Sequence, residues 1–423
     1  MLDIKLIKKD PQGLSEQLAK KGVVIDFADI LAREAEKNNL LNEAGNLRNK
    51  RNVFSKQIGA AMKNGENVDE IKNEVNNIND KITEIEEKIR KLDDENREIL
   101  LSLPNPPADS TPAGGKENNE IISTFGDKPA FDFAPKDHIE LCQMHGLIDY
   151  ERGAKIGGSG HWVYTNKGAI LEWALLNYFI ESHLADGWEM LLLPHLLNID
   201  CGLVAGQFPK FADDVFYLEG KNKFLLPTAE TALVNLHNNE ILKEEELPKK
   251  YFAYTPCYRK EAGGGHAEEK GMIRGHQFNK VEMVQFAHPD KSEAAHKEML
   301  EKAEKLVQGL GLHYQVVKLA AEDCSWSMAS TYDVEVWIPS MEIYKEVSSA
   351  SNAYDYQARR GGARFKDKET KENRFVHTLN ASGLATSRIF PALLEQHQQA
   401  DGSVKIPEAL IKYCGFDEIK VEK

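Results

Sequence analysis

An arginine and a glutamate two residues apart are the first side chains in this chain that could do chemistry. Arg259 and Glu261 lie in the run YRKEAGGGHAEEKGMIRGHQFNKVEM. On a strand, residues two apart face the same side, and an arginine fork can grip a phosphate or a carboxylate through two parallel hydrogen bonds. A return strand would bring Phe278, a stacking surface for a base, and Glu282 back toward that face. An ordinary hairpin with a surface salt bridge is the alternative.

Three further segments carry oxygen or cationic side chains of the same kind. PTAE puts the carboxylate of Glu230 in a tight turn. KEVSS puts Glu346 and Ser349 at the end of a strand, and both are oxygen ligands suited to Mg²⁺. NASGLATSRIF opens a helix with small residues and carries Arg388 in its first turns, where the helix N-terminus favours anions. Each segment is a weak signal by itself.

The elements that would position these residues belong to an α+β domain. A helix to about Ala185, a break at Gly187 and a strand ending at Pro194 are predicted first. Strands are predicted in YFAYTPCYR, MIRGHQFNKVEMVQF, YDVEVWIP and EIYKEVSSAS, and long helices at 291–309 and 387–399. Neighbouring strands joined by short loops indicate an antiparallel sheet flanked by helices.

The first hundred residues follow a different pattern. From Val68 to Ile99, apolar residues recur at alternating spacings of three and four, with Asn96 as the one polar position, and the stretch from Leu40 to Ala61 has the same spacing. Between them lies KNGEN, a turn signal. The heptads predict an antiparallel coiled-coil hairpin over about 27–100. Helices of about 35 residues would make an arm roughly 50 Å long.

The charges of the two predicted arm helices are opposite. The first carries a basic stripe centred on LRNKRN, with Arg48, Lys50 and Arg51, whereas the second is acidic. The stripe could lie along a phosphate backbone. Alternatively, complementary charges simply hold the two helices together and the outer faces are solvated.

Composition limits the classes of function. The chain has 423 residues, 28% of them charged, and a net charge of −14, so a nucleic-acid contact must be local. Five well-separated cysteines without a CxxC pair predict neither a disulfide framework nor a zinc site of the usual spacing, and favour the cytoplasm. The N-terminus has no secretory h-region, and the apolar runs are too short to span a membrane.

A Pro- and Gly-rich stretch, LPNPPADSTPAGGKEN, is the best domain boundary in the chain. The predicted division is an N-terminal domain at 1–102, a linker at 103–118 and a catalytic domain at 119–423.

Taken together and in order, these segments resemble the class II aminoacyl-tRNA synthetases. YTPCYRKEAG…GMIRGHQFNKVEM is similar to motif 2 of that class, SGLATSRIFPALLE to motif 3, and the stretch ending at Pro194 to motif 1. The finer resemblance is to the seryl-tRNA synthetase family. It rests on MLDIKLIKKDP, the helical arm, PTAE, EVSSASNAYDYQARR and QQADGSVKIPEAL, and covers nearly the whole chain.

The resemblance implies a two-step reaction and a set of site residues. Serine and ATP would form seryl-adenylate, and the seryl group would pass to tRNA(Ser), with tRNA(Sec) as a further candidate. Arg259, Glu346 and Arg388 are the implied catalytic residues. The implied ATP-binding residues are Arg259, Lys260, Glu261, Phe278, Glu346, Val347, Ser348, Ser349 and Arg388. The implied serine-binding residues are Thr228, Ala229, Glu230, Arg259, Glu282, Asn380 and Ser382. Glu346 and Ser349 would hold Mg²⁺, and no zinc is expected.

The resemblance also implies macromolecular partners. Arg48, Lys50 and Arg51 of the arm would bind the long variable arm of tRNA(Ser), and the anticodon would not be read. The segment 187–197 would contribute to the two-fold interface of a homodimer. No membrane partner is implied.

The sequence departs from the family pattern at several positions. Residues 267–270 read AEEK where the family usually has a run like Arg-Asp-Thr-Arg. Ala381 and Ser387 replace two usual glycines of motif 3, and SGHWVY, 159–164, differs from the common form. These changes concern the contacts with tRNA and leave the ATP-binding residues intact.

Two other functions, and a zinc-dependent form of the same family, compete with this interpretation. A paralogue could keep the fold and the arm without catalysis, but the intact set of ATP-binding residues argues against it. A ligase that loads an amino acid onto a carrier protein would generally lack the arm. The zinc-dependent form of the family is disfavoured, because His266, His276, Cys257 and Cys324 form no clear ligand pattern.

Overall fold

A computed structural model describes residues 1–261 and 271–421 as two compact units. The smaller unit comprises Leu2–Ala19 and Val23–Leu103. The larger unit comprises Met1, Lys20–Gly22 and the chain from Pro104 onward. No helix among the described residues is long and apolar enough to cross a lipid bilayer.

The smaller unit is helical. Its elements are α1 (Ile4–Lys9), α2 (Pro11–Ala19), α3 (Ala28–Lys63) and α4 (Asp69–Ser102). The contacts between α3 and α4 run in opposite directions along the two helices. Arg33 near the start of α3 bonds to Asn96 near the end of α4, and Arg48 near the middle of α3 pairs with Glu86 near the middle of α4. The predicted antiparallel hairpin is therefore confirmed, with its turn in KNGEN.

On α4, the buried residues of the hairpin seam are apolar except for Asn96. Ile78, Ile82 and Ile85 are buried on α4 at the predicted spacing. The side chain of Asn96 is also buried, and its oxygen accepts a hydrogen bond of 2.8 Å from Nε of Arg33, while its Nδ2 lies 3.4 Å from the Ile30 carbonyl oxygen. Because both ends of the amide have partners, the polar position is tolerated inside the seam.

The larger unit combines helices with a large sheet. Its helices are α5 (His138–His145), α6 (Tyr150–Gly157), α7 (Asn166–Ala185), α8 (Ile199–Ala205), α9 (Glu230–Leu233), α10 (Ser292–Gly309), α11 (Tyr356–Gly361), α12 (Thr386–His397) and α13 (Glu408–Cys414). Its strands are β1 (Glu120–Phe125), β2 (Ile148–Asp149), β3 (Val163–Tyr164), β4 (Glu189–Met190), β5 (Leu196–Asn198), β6 (Lys223–Leu225), β7 (Ile241–Lys243), β8 (Lys249–Tyr258), β9 (Gln277–Ala287), β10 (Tyr314–Lys318), β11 (Ser330–Ile338), β12 (Ile343–Asn352), β13 (Arg364–Lys366), β14 (Asn373–Phe375), β15 (His377–Ala385), β16 (Val404–Lys405) and β17 (Glu418–Ile419).

Eight strands form the central sheet in the order β1-β10-β11-β12-β15-β9-β8-β4. All neighbouring pairs are antiparallel except β4 and β8. The main core includes buried residues of β8, β9, β11, β15, α7, α10 and α12. The predicted α+β class, with helices flanking an antiparallel sheet, is confirmed.

Two strand predictions differ from the structure. The strand predicted to end at Pro194 is the two-residue β4, which stops at Met190. The strand predicted from Met272 begins only at Gln277, since residues 271–276 form turns. Each segment contains a short apolar run, at 191–193 and at 272–273, and a short apolar run by itself does not separate a strand from a loop.

The Pro-rich segment predicted to be a linker is bonded within the larger unit. Nδ2 of Asn105 donates to the carbonyl oxygens of Ser327 and Ala353 at 2.9 and 2.8 Å. The hydroxyl of Thr111 donates to the carbonyl of Ala329 at 2.9 Å. The compact units divide between Leu103 and Pro104, so this segment is fixed by buried polar side chains that composition does not reveal.

Candidate active site

The β8–β9 hairpin is the first element of the site. Its register pairs Cys257 with Phe278 and Ala253 with Glu282. The expectation that Arg259 and Glu261 both lie on a strand is wrong, because β8 ends at Tyr258. Instead the chain turns, and Glu261 adopts a left-handed conformation with φ of 51°.

Glu261 is held by Arg274, which lies in the segment that leads into β9. Nε of Arg274 lies 2.6 Å from Oε2 of Glu261. The loop that follows Glu261, residues 262–270, lies outside the described residues. The predicted effect of the AEEK run at 267–270 on tRNA contacts therefore stays a prediction, as does the interpretation that His266 is not a zinc ligand.

A cleft of about 320 Å³ brings together most of the predicted serine-binding residues. Its lining includes Thr228, Glu230, Arg259, Glu282, Asn380 and Ser382. Thr228 precedes α9, Arg259 follows β8, Glu282 lies on β9, and Asn380 and Ser382 lie on β15. Ala229, the remaining predicted serine-binding residue, is not among the described residues that line this cleft. It is buried in a neighbouring apolar cluster.

Two carboxylates of this cleft are each held through one oxygen. Oε1 of Glu230 accepts a hydrogen bond of 2.8 Å from Nε2 of Gln357. Oε2 of Glu282 forms an ion pair of 2.6 Å with Nζ of Lys280, which also donates to the Thr228 hydroxyl at 2.8 Å. Among the described residues, no hydrogen bond is found to the second oxygen of either acid, so the cleft can accept an ammonium group together with a hydroxyl group.

Burial, and then the nearby negative charge of Glu282, raise the pKa of Glu230 to about 7. Lys280 and Arg259 oppose the shift, as does the hydrogen bond from Gln357. A positively charged ligand between the acids would favour the ionised form of Glu230.

A second, smaller cleft holds the predicted nucleotide-binding residues. It is lined by Glu261, Phe278, Val347, Ser387 and Arg388, and it shares Arg259, Lys280, Glu346 and Ser382 with the larger cleft. The guanidinium carbon of Arg259 lies 5.3 Å from the centre of the Phe278 ring. Arg259 therefore stands where the two clefts meet, beside a flat aromatic surface.

Arg388 lines the smaller cleft from the first turn of α12. Its NH1 donates to the carbonyl oxygen of Glu346 at 2.8 Å and lies 3.5 Å from Oε2 of the same residue. Its Nε lies 3.4 Å from the Ile273 carbonyl oxygen. These contacts hold the guanidinium at the rim.

Two predicted ATP-binding residues lie outside the linings of both clefts in the described part of the chain. The buried hydroxyl of Ser348 donates to the Ser382 carbonyl at 2.6 Å. Lys260 directs its ammonium group toward Phe216 and Tyr217, and its backbone nitrogen donates to Asp214.

The predicted magnesium ligands, Glu346 and Ser349, lie within β12 and not at its end, since the strand runs to Asn352. Asp333, which pairs with Ser349 across β11 and β12, supplies a buried carboxylate beside them, and its Oδ1 has no hydrogen-bond partner among the described residues. Burial and the neighbouring charge of Glu346 raise the pKa of Asp333 well above its usual range. A cation there would relieve this repulsion, so the oxygen donors fit Mg²⁺.

No group of three or more His, Cys, Asp and Glu side chains in the described ranges could hold a metal by itself. The oxygens at Glu346 and Ser349 would therefore need a ligand's own oxygens, such as phosphates, to complete a coordination shell.

The two altered motif 3 positions are accommodated differently. Ala381 is fully buried in the main core, opposite Met283 of β9 and Ala350 of β12. Ser387 is nearly buried and lines the smaller cleft next to Arg388. In SGHWVY, the ring of His161 lies 5.2 Å from that of His276.

The predicted tRNA-binding residues lie in the middle of α3. NH2 of Arg48 forms an ion pair of 2.6 Å with Glu86 of α4, and NH1 of Arg51 lies 3.4 Å from Oδ1 of Asn79. Lys50 is exposed. Arg48 and Arg51 thus serve the packing of the hairpin, whatever else they bind.

Sequence reasoning missed Lys280, Gln357 and Asp333. A signal existed for Lys280, because it lies two residues before Glu282 on one strand and must share its face. Alternation along the strand likewise places the side chains of Asp333 and Glu335, in YDVEVW, on one face. Nothing local marks Gln357, which reaches Glu230 from α11, 127 positions away along the chain.

Comparison with protein families matches both units. Residues 1–107 match the seryl-tRNA synthetase N-terminal domain, and residues 216–397 match the tRNA synthetase class II core domain (G, H, P, S and T).

Full-length relatives agree with these matches. Serine–tRNA ligase 2 of Clostridium acetobutylicum is 56% identical, over 99% of this chain and 100% of the relative. Serine–tRNA ligase of Thermotoga neapolitana is 45% identical over the same shares. The crystal structure of seryl-tRNA synthetase from Pyrococcus horikoshii complexed with ATP is 34% identical, with a TM-score of 0.94 and complete coverage of both chains.

Proposed function

The chain belongs to the seryl-tRNA synthetase family of class II aminoacyl-tRNA synthetases, and we propose that it activates L-serine with ATP and transfers the seryl group to the 3′ end of tRNA(Ser). The observation that carries this proposal is the meeting of two clefts at Arg259. One cleft presents carboxylates suited to an amino acid, and the other presents an aromatic ring and a guanidinium suited to a nucleotide.

The first step needs alignment more than proton transfer. The serine carboxylate is already a nucleophile, so one of its oxygens attacks the α-phosphorus of ATP. The bond from that phosphorus to the bridging oxygen breaks, and pyrophosphate leaves with the electron pair. Arg259 would bind both the serine carboxylate and the α-phosphate, which brings the reacting atoms together and neutralises charge.

The remaining nucleotide contacts follow from the smaller cleft. Phe278 would stack on the adenine ring, Glu261 would bind the adenine edge, and Arg388 would bind the γ-phosphate. Mg²⁺, when bound through Glu346 and Ser349, would neutralise phosphate charge. Arg388 and Glu346 already lie at one rim of the cleft, 3.5 Å apart.

Serine would be selected by the paired acids. Glu230 and Glu282 would bind its ammonium and hydroxyl groups, with Thr228, Asn380 and Ser382 around them. A pocket built to bond a hydroxyl rejects an analogue that lacks one, because its own polar groups are left unpaired. Alanine should therefore be a poor substrate.

In the second step, a hydroxyl of the terminal ribose of tRNA attacks the carbonyl carbon of seryl-adenylate. The ester forms as AMP departs with the electrons of the broken carbon–oxygen bond. Arg48, Lys50 and Arg51 of α3 are proposed to hold the variable arm of tRNA(Ser), and the active form is proposed to be a homodimer.

The five cysteines are all free thiols, which supports our inference of a reducing, cytoplasmic location.

Two assays on the purified chain test the proposal. Serine-dependent exchange of labelled pyrophosphate into ATP should be observed and should require Mg²⁺. Charging should occur on tRNA(Ser) and fall strongly when its long variable arm is deleted; tRNA(Sec) is tested in parallel. If tRNA is bound but serine supports no exchange, the chain is a binding protein that has lost catalysis, and the proposal is wrong.

A further inference from the structure

A buried carboxylate lies outside both clefts, on α7. The helix buries an apolar face that includes Leu171, Leu175 and Phe179, and Glu172 is buried with them, at only 3% exposure. A buried carboxylate is costly unless donors surround it. Those donors show what Glu172 does.

One oxygen of Glu172 joins two elements of the site. Oε1 lies 2.7 Å from Nδ2 of Asn279 on β9 and 2.6 Å from the hydroxyl of Thr386, the first residue of α12. That hydroxyl also lies 3.2 Å from the Asn279 carbonyl oxygen. On the far side of Asn279, the Tyr254 hydroxyl donates to Oδ1 at 3.1 Å, which turns the amide nitrogen toward Glu172.

Both donors adjoin nucleotide-binding residues. Asn279 directly follows Phe278, the proposed adenine platform. Thr386 lies two residues before Arg388, the proposed γ-phosphate ligand. Glu172 thus ties together the two supports that would hold opposite ends of ATP, without touching the nucleotide.

We propose that Glu172 is a positioning residue for ATP, which sets the separation between the Phe278 ring and the Arg388 guanidinium. This inference rests on the proposed function of the smaller cleft. A hydrophobic residue at this position would pack without the cost of burying a charge. The carboxylate therefore contributes geometry that an apolar side chain cannot.

The test compares Glu172→Ala with Glu172→Gln by calorimetric titration of the full chain with ATP and, separately, with serine. The alanine variant should bind ATP about 10- to 100-fold more weakly, the range typical of groups that orient a ligand contact. Its serine affinity should change less than about two-fold, since Asn279 and Thr386, hydrogen-bond partners of Glu172 in the described part of the chain, do not line the larger cleft. The glutamine variant should recover most of the ATP affinity, because its amide oxygen can accept both hydrogen bonds.

Glu395→Ala is the matched control. Glu395 is a fully buried carboxylate on the same helix as Thr386, bonded to His138 and Ser340 away from the clefts. Glu395→Ala should lower the melting temperature about as much as Glu172→Ala does, and it should leave the affinity for ATP unchanged. A Glu172→Ala variant that weakens ATP and serine equally, or a glutamine variant as poor as alanine, would overturn the proposal.

Thr386→Val provides a second variant if Glu172→Ala does not fold. It keeps the side-chain shape and removes the hydroxyl donor, so ATP binding should weaken in the same direction. Unchanged ATP affinity in Thr386→Val contradicts the proposal, because this hydroxyl is one of the two donors to Oε1 of Glu172. A wild-type chain that binds ATP without serine-dependent exchange would refute the proposed function alone, since these affinities do not depend on turnover.

Discussion

Arg259 lines both clefts, so a small chemical change in this side chain should affect the binding of both proposed substrates. We predict that Arg259→Lys lowers serine-dependent pyrophosphate exchange by roughly 10²- to 10³-fold, the cost of losing one aligned charge-stabilising donor. Lysine keeps the charge but loses the planar fork.

The control for this variant is Arg152→Lys, at an exposed arginine whose ion pair with Asp149 lies outside the clefts. Its exchange rate should be unchanged. Near wild-type exchange in Arg259→Lys, with the fold intact by circular dichroism, would show that the fork is not needed.

Glu230 supplies a pH dependence. Its pKa is raised to about 7, first by burial and then by Glu282. Below pH 7 the carboxyl is largely neutral and attracts the serine ammonium weakly. The KM for serine should therefore fall as pH rises through about 7, and Glu230→Gln should flatten this profile while raising KM throughout.

The raised pKa of Glu230 also affects folding stability. As pH rises, its contribution to stability should decrease, whereas serine binding should strengthen. A folded-state pKa above the unfolded value of about 4.5 favours the folded state in acid, and this contribution is lost as pH rises through about 7. The melting temperature of the wild type relative to Glu230→Gln should therefore decrease between pH 5 and pH 8. A constant difference would contradict the assignment.

Among the elements, the helical hairpin is proposed to combine the packing of its own helices with tRNA binding. Arg48 already neutralises Glu86 across the hairpin, so part of the basic stripe serves packing. Exposed Lys50 is the cleaner probe of tRNA binding. We predict that Lys50→Glu raises the KM for tRNA(Ser), leaves pyrophosphate exchange unchanged, and lowers the slope of log affinity against log salt by about one.

Lys91→Glu is the matched control, because it makes the same charge change at a highly exposed position of the acidic helix α4. Its tRNA KM should stay near that of the wild type. If both variants weaken tRNA binding equally, the effect is one of net charge and the α3 stripe is not the tRNA-binding surface. Thermal melting checks that the hairpin stays folded in each variant.

At the scale of the whole molecule, apolar surface on the larger unit supports the proposed homodimer. Trp173 is 53% exposed on α7, and Ile170 and Leu184 of the same helix and Leu192 beyond it are also exposed. We predict that light scattering at micromolar concentration gives twice the chain mass of 47.6 kDa, and that Trp173→Glu shifts the mass toward the monomer. A monomeric wild-type chain would refute this.

Much of the architecture followed from local patterns. Heptad spacing determined the hairpin, because a seam of apolar residues every three or four positions can be buried only between paired helices. The long helices α7, α10 and α12 and the strands β8, β11 and β12 were also predictable, since periodicity and turn residues act over a few positions. Residues such as Arg259 and Arg388 stood out by their type and by the motifs around them.

The tertiary fold decided what periodicity could not. Tyr258, and not Arg259, ends β8, and Nε of Arg259 bonds to the distant carbonyl of Pro227. Asn105 is bound to the larger unit although its segment has the composition of a linker. Gln357 and Glu172 acquire their partners from elements far away in the chain. Such partnerships depend on which elements the folded sheet brings within about 3 Å of each other, and no local pattern in the sequence encodes that distance.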